Sequence, residues 1–170
     1  MNYSQTIKYL FPSAIVELDF SVLIHGSVTT ITKWNTAKLG PQPTQTQLEA
    51  AWPAVQLQTA QTQQRALIKQ SFTASANANV TDSAGNVWEG GMASGNSIFL
   101  ACQLAQHAGA TSITLYDAAK NPHSMTIAEG MDVAALIGQA YQVALGTKNS
   151  LYGEINAATT VSAVQSIVWS

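Results

Sequence analysis

Residues 112–129, SITLYDAAKNPHSMTIAE, decide the fold class. The first six residues alternate apolar and polar side chains, and this period of two predicts a strand. Asn121-Pro122 predicts a turn, and the five residues after it predict a second strand of a hairpin. Thr126 and Glu129 form a capping-box pattern, so a long helix should begin directly after that strand. A hairpin that leads into a helix indicates an α+β fold.

The pattern extends on both sides of this segment to a C-terminal α+β domain over residues 80–170. Upstream, the turn at 82–86 predicts another hairpin, and the Gly-rich segment 90–95 predicts a flexible connection to a helix capped by Asn96 or Ser97. We expect that helix to bury one apolar face and to end at Gly109. The residues expected on this face are Phe99, Leu100, Leu104 and Ala108. At the C-terminal end, Thr159 or Thr160 should cap a last short helix.

The N-terminal residues 1–43 predict a small docking module. Ser4 can cap a short helix that Pro12 stops. Residues 19–24 and 28–34 predict a hairpin, with His25-Gly26-Ser27 as its turn. A two-stranded hairpin is marginally stable in water, so this module should pack on the rest of the chain or on a partner.

Residues 44–70 predict a connecting helix that opens with a capping box formed by Thr44 and Gln47. Pro53 should kink this helix or mark a second start. A heptad-like seam leaves two interpretations open, a self-associating coiled-coil stalk and a simple connector. The seam consists of Leu48, Trp52, Val55, Thr59, Thr62 and Ala66. The small residues at 71–79 predict a linker and a domain boundary.

The composition is unusual because only 9% of the 170 residues are charged, against about 25% in a typical domain. Ser, Thr, Asn and Gln supply 56 residues, so the surface should be polar but uncharged. Seven basic residues against nine acidic ones disfavour nucleic-acid binding. No apolar run reaches the length of a membrane span, and we expect no membrane insertion. Surfaces that avoid charge favour a chain that works inside a larger assembly.

The residues that could support catalysis are scattered. His25, His107 and His123 lie in separate predicted elements without a metal-ligand spacing, and the single Cys102 is expected to be a buried apolar residue. The acids Asp82, Glu89 and Asp117 could meet at the hairpin ends, although turn chemistry already accounts for the two aspartates. We therefore expect no enzyme activity and no catalytic, metal-binding or cofactor-binding residues. Large apolar side chains are instead candidate interface anchors, namely Trp34, Trp52, Val55, Trp88, Tyr116 and Trp169.

The first 55 residues or so carry a resemblance to a known family. The motifs are Tyr9-Leu10-Phe11-Pro12, Asp19-Phe20, Trp34-Asn35, and Pro41-Gln42-Pro43-Thr44 followed by Leu48 to Trp52. Together they resemble the small XkdW-type phage tail proteins. The region from Val80 resembles an uncharacterised domain common at the ends of phage tail-fibre-associated proteins.

These resemblances imply a structural component of a tailed-phage virion, in the tail fibre or its attachment to the baseplate. Two alternatives stay open, a tail-fibre assembly chaperone and a receptor-binding tip in which Trp88 or Tyr116 stacks on a host-surface glycan. We expect the protein to be made in the host cytoplasm and to reside in the virion. The expected partners are other phage tail or fibre proteins and further copies of the chain, with a trimer favoured.

Overall fold

The computed structural model describes residues 1–25 and 28–170 of the chain. Helices account for 57% and strands for 17% of it, which confirms the α+β class. The elements follow in the order α1 (Tyr3–Leu10), β1 (Phe20–His25), β2 (Val28–Trp34), α2 (Thr36–Leu39), α3 (Gln45–Ala76), β3 (Val80–Thr81), β4 (Val87–Trp88), α4 (Met92–His107), β5 (Ser112–Tyr116), β6 (Pro122–Thr126), α5 (Ile127–Ala157) and α6 (Val161–Gln165).

The described strands form three antiparallel hairpins, β1 with β2, β3 with β4, and β5 with β6. All three hairpins were expected from the sequence. In the first, Phe20 pairs with Trp34 and His25 pairs with Val28. The turn predicted at His25-Gly26-Ser27 lies outside the described residues, except that His25 ends β1.

The chain divides into two compact units. The first unit contains Met1–Gln63 and Ala158–Ser166, and the second contains Gln64–Ala157 and Ile167–Ser170. This division falls inside α3, whereas the sequence predicted a boundary at 71–79.

The first unit has a core formed by Ile7, Ala14, Phe20, Leu39 and Leu48. Its helix α1 begins at Tyr3, because the Asn2 side chain accepts the Gln5 N–H at 3.1 Å. The predicted cap at Ser4 is therefore wrong, although the helix ends before Pro12 as expected. The short helix α2 was not predicted.

Helix α3 opens with the predicted capping box, in which Thr44 N–H donates to Gln47 Oε1 at 2.8 Å and Gln47 N–H donates to Thr44 Oγ1 at 3.2 Å. The helix continues through Pro53 to Ala76, so a second start at Pro53 and a linker over 71–79 are both wrong. Residues 71–76 contain neither Gly nor Pro to stop a helix. In addition, Phe72 packs edge-on against Tyr141 of α5, with 5.8 Å between ring centroids.

Two residues of the predicted α3 seam are covered within the chain itself. Leu48 belongs to the core of the first unit and Val55 is buried, while Thr62 and Ala66 are exposed. Farther along the helix the buried positions are instead Ala60, Gln64, Ile68 and Ala76. Leu48 and Val55 are therefore not free to contact a second helix, and self-association of α3 through the rest of the seam stays a prediction.

In the second unit, α4 begins at Met92 rather than at the predicted Asn96 or Ser97. Gly91, whose φ of +94° is not helical, immediately precedes the helix, and Gly95 lies inside it. A Cβ on Gly95 would lie 3.2 Å from Ile137 of α5, so the missing side chain allows the two helices to approach closely.

The buried face of α4 also differs from the prediction. Gly95 and Cys102 are buried, whereas Phe99, Leu100 and Leu104 are 50%, 58% and 62% exposed. Ala108 lies beyond the end of the helix and is exposed. Gly95 and Cys102 lie against α5, and Ile98 packs against the core that includes Val133 and Ile137 of α5.

The core of the second unit contains Trp88, Leu115, Val133 and Ile137. Helix α5 starts with the predicted capping box, since Glu129 Oε2 accepts the Thr126 N–H at 2.7 Å. In the first unit, Thr160 caps α6 as expected by accepting the Ala163 N–H at 3.1 Å. None of the helices in the described part of the chain has the length and apolar character needed to cross a membrane.

Candidate functional site

The loop between β3 and β4 is organised around Asp82. Its Oδ1 accepts the N–H groups of Ala84 and Asn86 at 2.9 Å, and its Oδ2 accepts Asn86 Nδ2–H at 3.0 Å and Trp88 Nε1–H at 2.9 Å. Burial, the largest influence, opposes ionisation, but these hydrogen bonds together lower the pKa of Asp82 below its ordinary value. The ionised carboxylate therefore fixes the indole of the fully buried Trp88.

The loop between β5 and β6 is organised in the same way around Asp117. Its carboxylate accepts the Asn121 N–H at 2.8 Å and Asn121 Nδ2–H at 3.0 Å, and it lies 3.1 Å from His123 Nε2. The hydrogen bonds from Asn121 and His123 lower the pKa of Asp117 to about 2. This carboxylate is consequently ionised across the physiological range.

The two loops are one motif used twice. In each, an aspartate binds the backbone and the side chain of an asparagine four residues later and a ring N–H or ring nitrogen six residues later. The fourth residue of each loop has a left-handed backbone, with φ of +87° at Gly85 and +69° at Lys120. The sequences DSAGNVW (82–88) and DAAKNPH (117–123) share Asp, Ala and Asn at equal spacing, a signal that the sequence analysis missed.

The two loops also contact each other. Ala118 N–H donates to the Val87 carbonyl at 2.8 Å, and Lys120 Nζ lies 2.5 Å from Glu89 Oε1. The rings of Trp88 and His123 lie 5.4 Å apart between centroids. Asp82, Glu89 and Asp117 thus lie on loops that contact each other, but each carboxylate binds partners of its own.

The remaining reactive side chains do not converge. Burial raises the pKa of the Cys102 thiol, and Cys102 fills the space beside Gly130, where a Cβ would lie 2.7 Å from its Sγ. His25 and His107 are exposed. Within residues 1–25 and 28–170, no group of three or more His, Cys, Asp or Glu side chains is arranged to hold a metal ion.

The first unit has its own carboxylate centre at Asp19, whose side chain is 2% exposed. Its carboxylate accepts Lys38 Nζ–H at 2.6 Å, the Ile15 N–H at 2.9 Å and Asn35 Nδ2–H at 3.3 Å. The ammonium of Lys38 is the main cause that lowers the pKa of Asp19 despite its burial. This centre ties α2 and its N-cap Asn35 to the segment that precedes β1.

Two of the predicted tryptophan anchors pack inside the chain. Trp88 is completely buried, which removes it as an exposed glycan-stacking residue. Trp34 donates its Nε1–H to the Gly40 carbonyl at 2.8 Å and packs edge-on against Phe11, with 5.1 Å between ring centroids.

The other predicted anchors differ in exposure. Val55 is buried, Trp52 and Trp169 are half-buried, and Tyr116 is 63% exposed. A role for any of these side chains at an interface stays a prediction.

The first unit contains an open apolar groove of about 660 Å³ between α1, the segment after α2, and the start of α3. Its lining contains no charged side chain. The lining residues are Tyr9, Leu10, Phe11, Leu39, Pro41, Gln42, Pro43, Gln47, Ala50, Ala51 and Ala54. No local sequence pattern predicts this groove, because its walls come from three separate segments.

Comparison with known proteins indicates a phage-related protein. The family model described as XkdW protein matches residues 3–60, about a third of the chain, and confirms the resemblance of the N-terminal region to that family. The resemblance stated for the region from Val80 stays a prediction. The matched segment includes every residue that lines the apolar groove. No curated protein and no solved structure matches the chain.

Proposed function

We propose that the protein is a structural component of a tailed-phage virion, in the tail fibre or its attachment to the baseplate. The observation that carries this proposal is the coincidence of the XkdW match with the groove of the first unit. A phage-related segment that presents an uncharged apolar groove has the features of a docking module.

The occupant of the groove is an apolar, uncharged segment of a neighbouring tail protein. The lining offers aromatic rings, prolines and alanine methyl groups, with Gln42 and Gln47 as its polar side chains. A charged segment would lose its hydration there without gaining an ion pair. Burial of each large apolar side chain contributes roughly 1.5–3 kcal/mol, so a few contacts suffice for attachment.

The experiment is quantitative mass spectrometry of purified particles of the phage that encodes this chain. We expect the wild-type chain at a fixed number of copies per particle. Ala50→Glu places a charge in the groove and should remove most of the chain from particles. Ala66→Glu is the matched control, because it changes another exposed alanine on the same helix outside the groove.

Two other results would contradict the proposal. A chain that is required for particle production but absent from particles would instead be an assembly chaperone. Equal incorporation of the Ala50→Glu and Ala66→Glu variants would exclude the groove as the docking site.

The receptor-binding alternative now depends on Tyr116, which is exposed on β5, since Trp88 is buried. Binding of the full chain to host-surface glycans, lost in Tyr116→Ala, would favour this alternative.

A further inference from the structure

The second unit presents an apolar ridge on the outer side of α4, which we define as Phe99, Leu100 and Leu104. Each of these side chains is at least half exposed, although the opposite side of the helix packs in the core. Leu100 and Leu104 are four residues apart and so lie on the same face. Single exposed apolar residues are ordinary, but three within one and a half helical turns form a patch of the kind that marks an interaction surface.

A groove of about 300 Å³ lies beside this ridge, between α4 and α5. Phe99 belongs to both features and forms their common border. Small residues line much of the groove, and a Cβ at Gly138 would contact nothing within 4 Å. The lining residues are Met92, Gly95, Asn96, Phe99, Met131, Ala134, Ala135 and Gly138.

We propose that a second copy of this chain binds here, with the ridge of one copy seated in the groove of the other. A contact between identical chains requires a surface that complements itself, and a ridge beside a groove has that shape. If each copy's ridge occupies the other's groove, the contact closes around a two-fold axis; if the ridge and the groove of one copy bind two different neighbours, head to tail, the contact can close around a three-fold axis.

The distribution of charge supports a second copy as the occupant. Helix α4 contains no Asp, Glu, Lys or Arg, and neither does the lining of the groove. Two copies therefore meet without repulsion between like charges and without leaving a buried charge unpaired. A partner with a charged surface would lose the hydration of its charges without compensation.

This inference goes beyond the proposed attachment to the virion, because it uses the second unit and is measured on the purified chain alone. The experiment is the mass of the full chain in solution, determined by light scattering after size exclusion. We expect two or three times the single-chain mass of 18.0 kDa. Because the surface lacks charge, this mass should persist at 1 M salt, where the screening length is about 3 Å.

Variants then locate the contact. Leu100→Glu should reduce the mass to that of one chain, and so should Ala135→Phe, which fills the groove from the opposite side of the contact. Leu67→Glu is the matched control, because Leu67 is 55% exposed on α3 and belongs to neither the ridge nor the groove. Helix content by circular dichroism should be unchanged in all three variants.

Three outcomes would overturn the proposal. They are a single-chain mass for the wild type, an oligomer that survives both Leu100→Glu and Ala135→Phe, and an oligomer that Leu67→Glu dissociates as readily as Leu100→Glu does.

Discussion

The two compact units use ionised carboxylates differently. In the first unit, Asp19 binds the ammonium of Lys38, nineteen residues away, and so joins segments that are distant in sequence. In the second unit, Asp82 and Asp117 bind N–H groups and ring nitrogens within the next six residues, so each closes its own loop. A chain with few charges thus uses several of them inside its fold, which leaves long stretches of surface uncharged.

Acid should produce the largest effect, because it acts on both kinds of carboxylate centre. The pKa values of Asp19, Asp82 and Asp117 all lie below the ordinary 3.8, that of Asp117 at about 2. A carboxylate with a lowered pKa in the folded state stabilises the fold while ionised, so its contribution is complete above about pH 4 and disappears as pH falls towards 2. Urea titrations from pH 7 to pH 2 should show this decrease, and equal stability at about pH 2.5 and pH 6 would contradict it.

Asp82→Ala should have the next largest effect, and it isolates the second unit. The substitution leaves the Trp88 Nε1–H buried without its acceptor and removes the bonds that close the loop. We expect the free energy of unfolding to fall by about 3 kcal/mol. Chemical denaturation of Asp82→Ala and of Asp132→Ala, an exposed acid on α5, provides the comparison. Similar losses in both variants would show that the effect is one of net charge.

Gly130→Ala should destabilise the second unit by about 2 kcal/mol, since the new Cβ would lie 2.7 Å from Cys102 Sγ. Cys102→Ala removes that sulfur, so the double variant should recover part of the loss. A double-mutant cycle by thermal unfolding measures this coupling. Strictly additive effects would mean that Gly130 is needed for some other reason.

The smallest effect concerns the equivalence of the two loops in the second unit. Both positions have a left-handed backbone, which glycine adopts more easily than other residues. Gly85→Ala should therefore lower the free energy of unfolding by about 1 kcal/mol, and Lys120→Gly should raise it by as much as about 1 kcal/mol. Glu89→Gln is the control for the exposed ion pair that Lys120 makes, which contributes about 0.5 kcal/mol or less. If Lys120→Gly is destabilised while Glu89→Gln is neutral, the left-handed positions of the two loops are not equivalent.

Local rules predicted much of the fold. The hairpin of β1 and β2 follows from β-branched residues, and the helix starts after Thr44, Thr126 and Thr160 follow from capping patterns within four residues. The packing of α4 could not be predicted in this way. Its large side chains suggested a buried face, but the close approach to α5 depends on Gly95, whose role appears only when the two helices are together.

The candidate surfaces were harder to predict than the elements that form them. Tryptophan marked positions of large apolar area, but sequence could not reveal that Trp88 and Trp34 find partners inside the chain. The groove of the first unit joins segments that are separated by tens of residues. The repeated aspartate loop, in contrast, was readable from its spacing.

The proposed function requires that apolar contacts hold this chain in the phage particle. The most direct test is the number of copies per particle, counted by mass spectrometry before and after a wash in about 1 M salt, which screens charges beyond about 3 Å. The account predicts the same fixed number before and after the wash. Absence of the chain from unwashed particles, or its release by salt, would contradict the account.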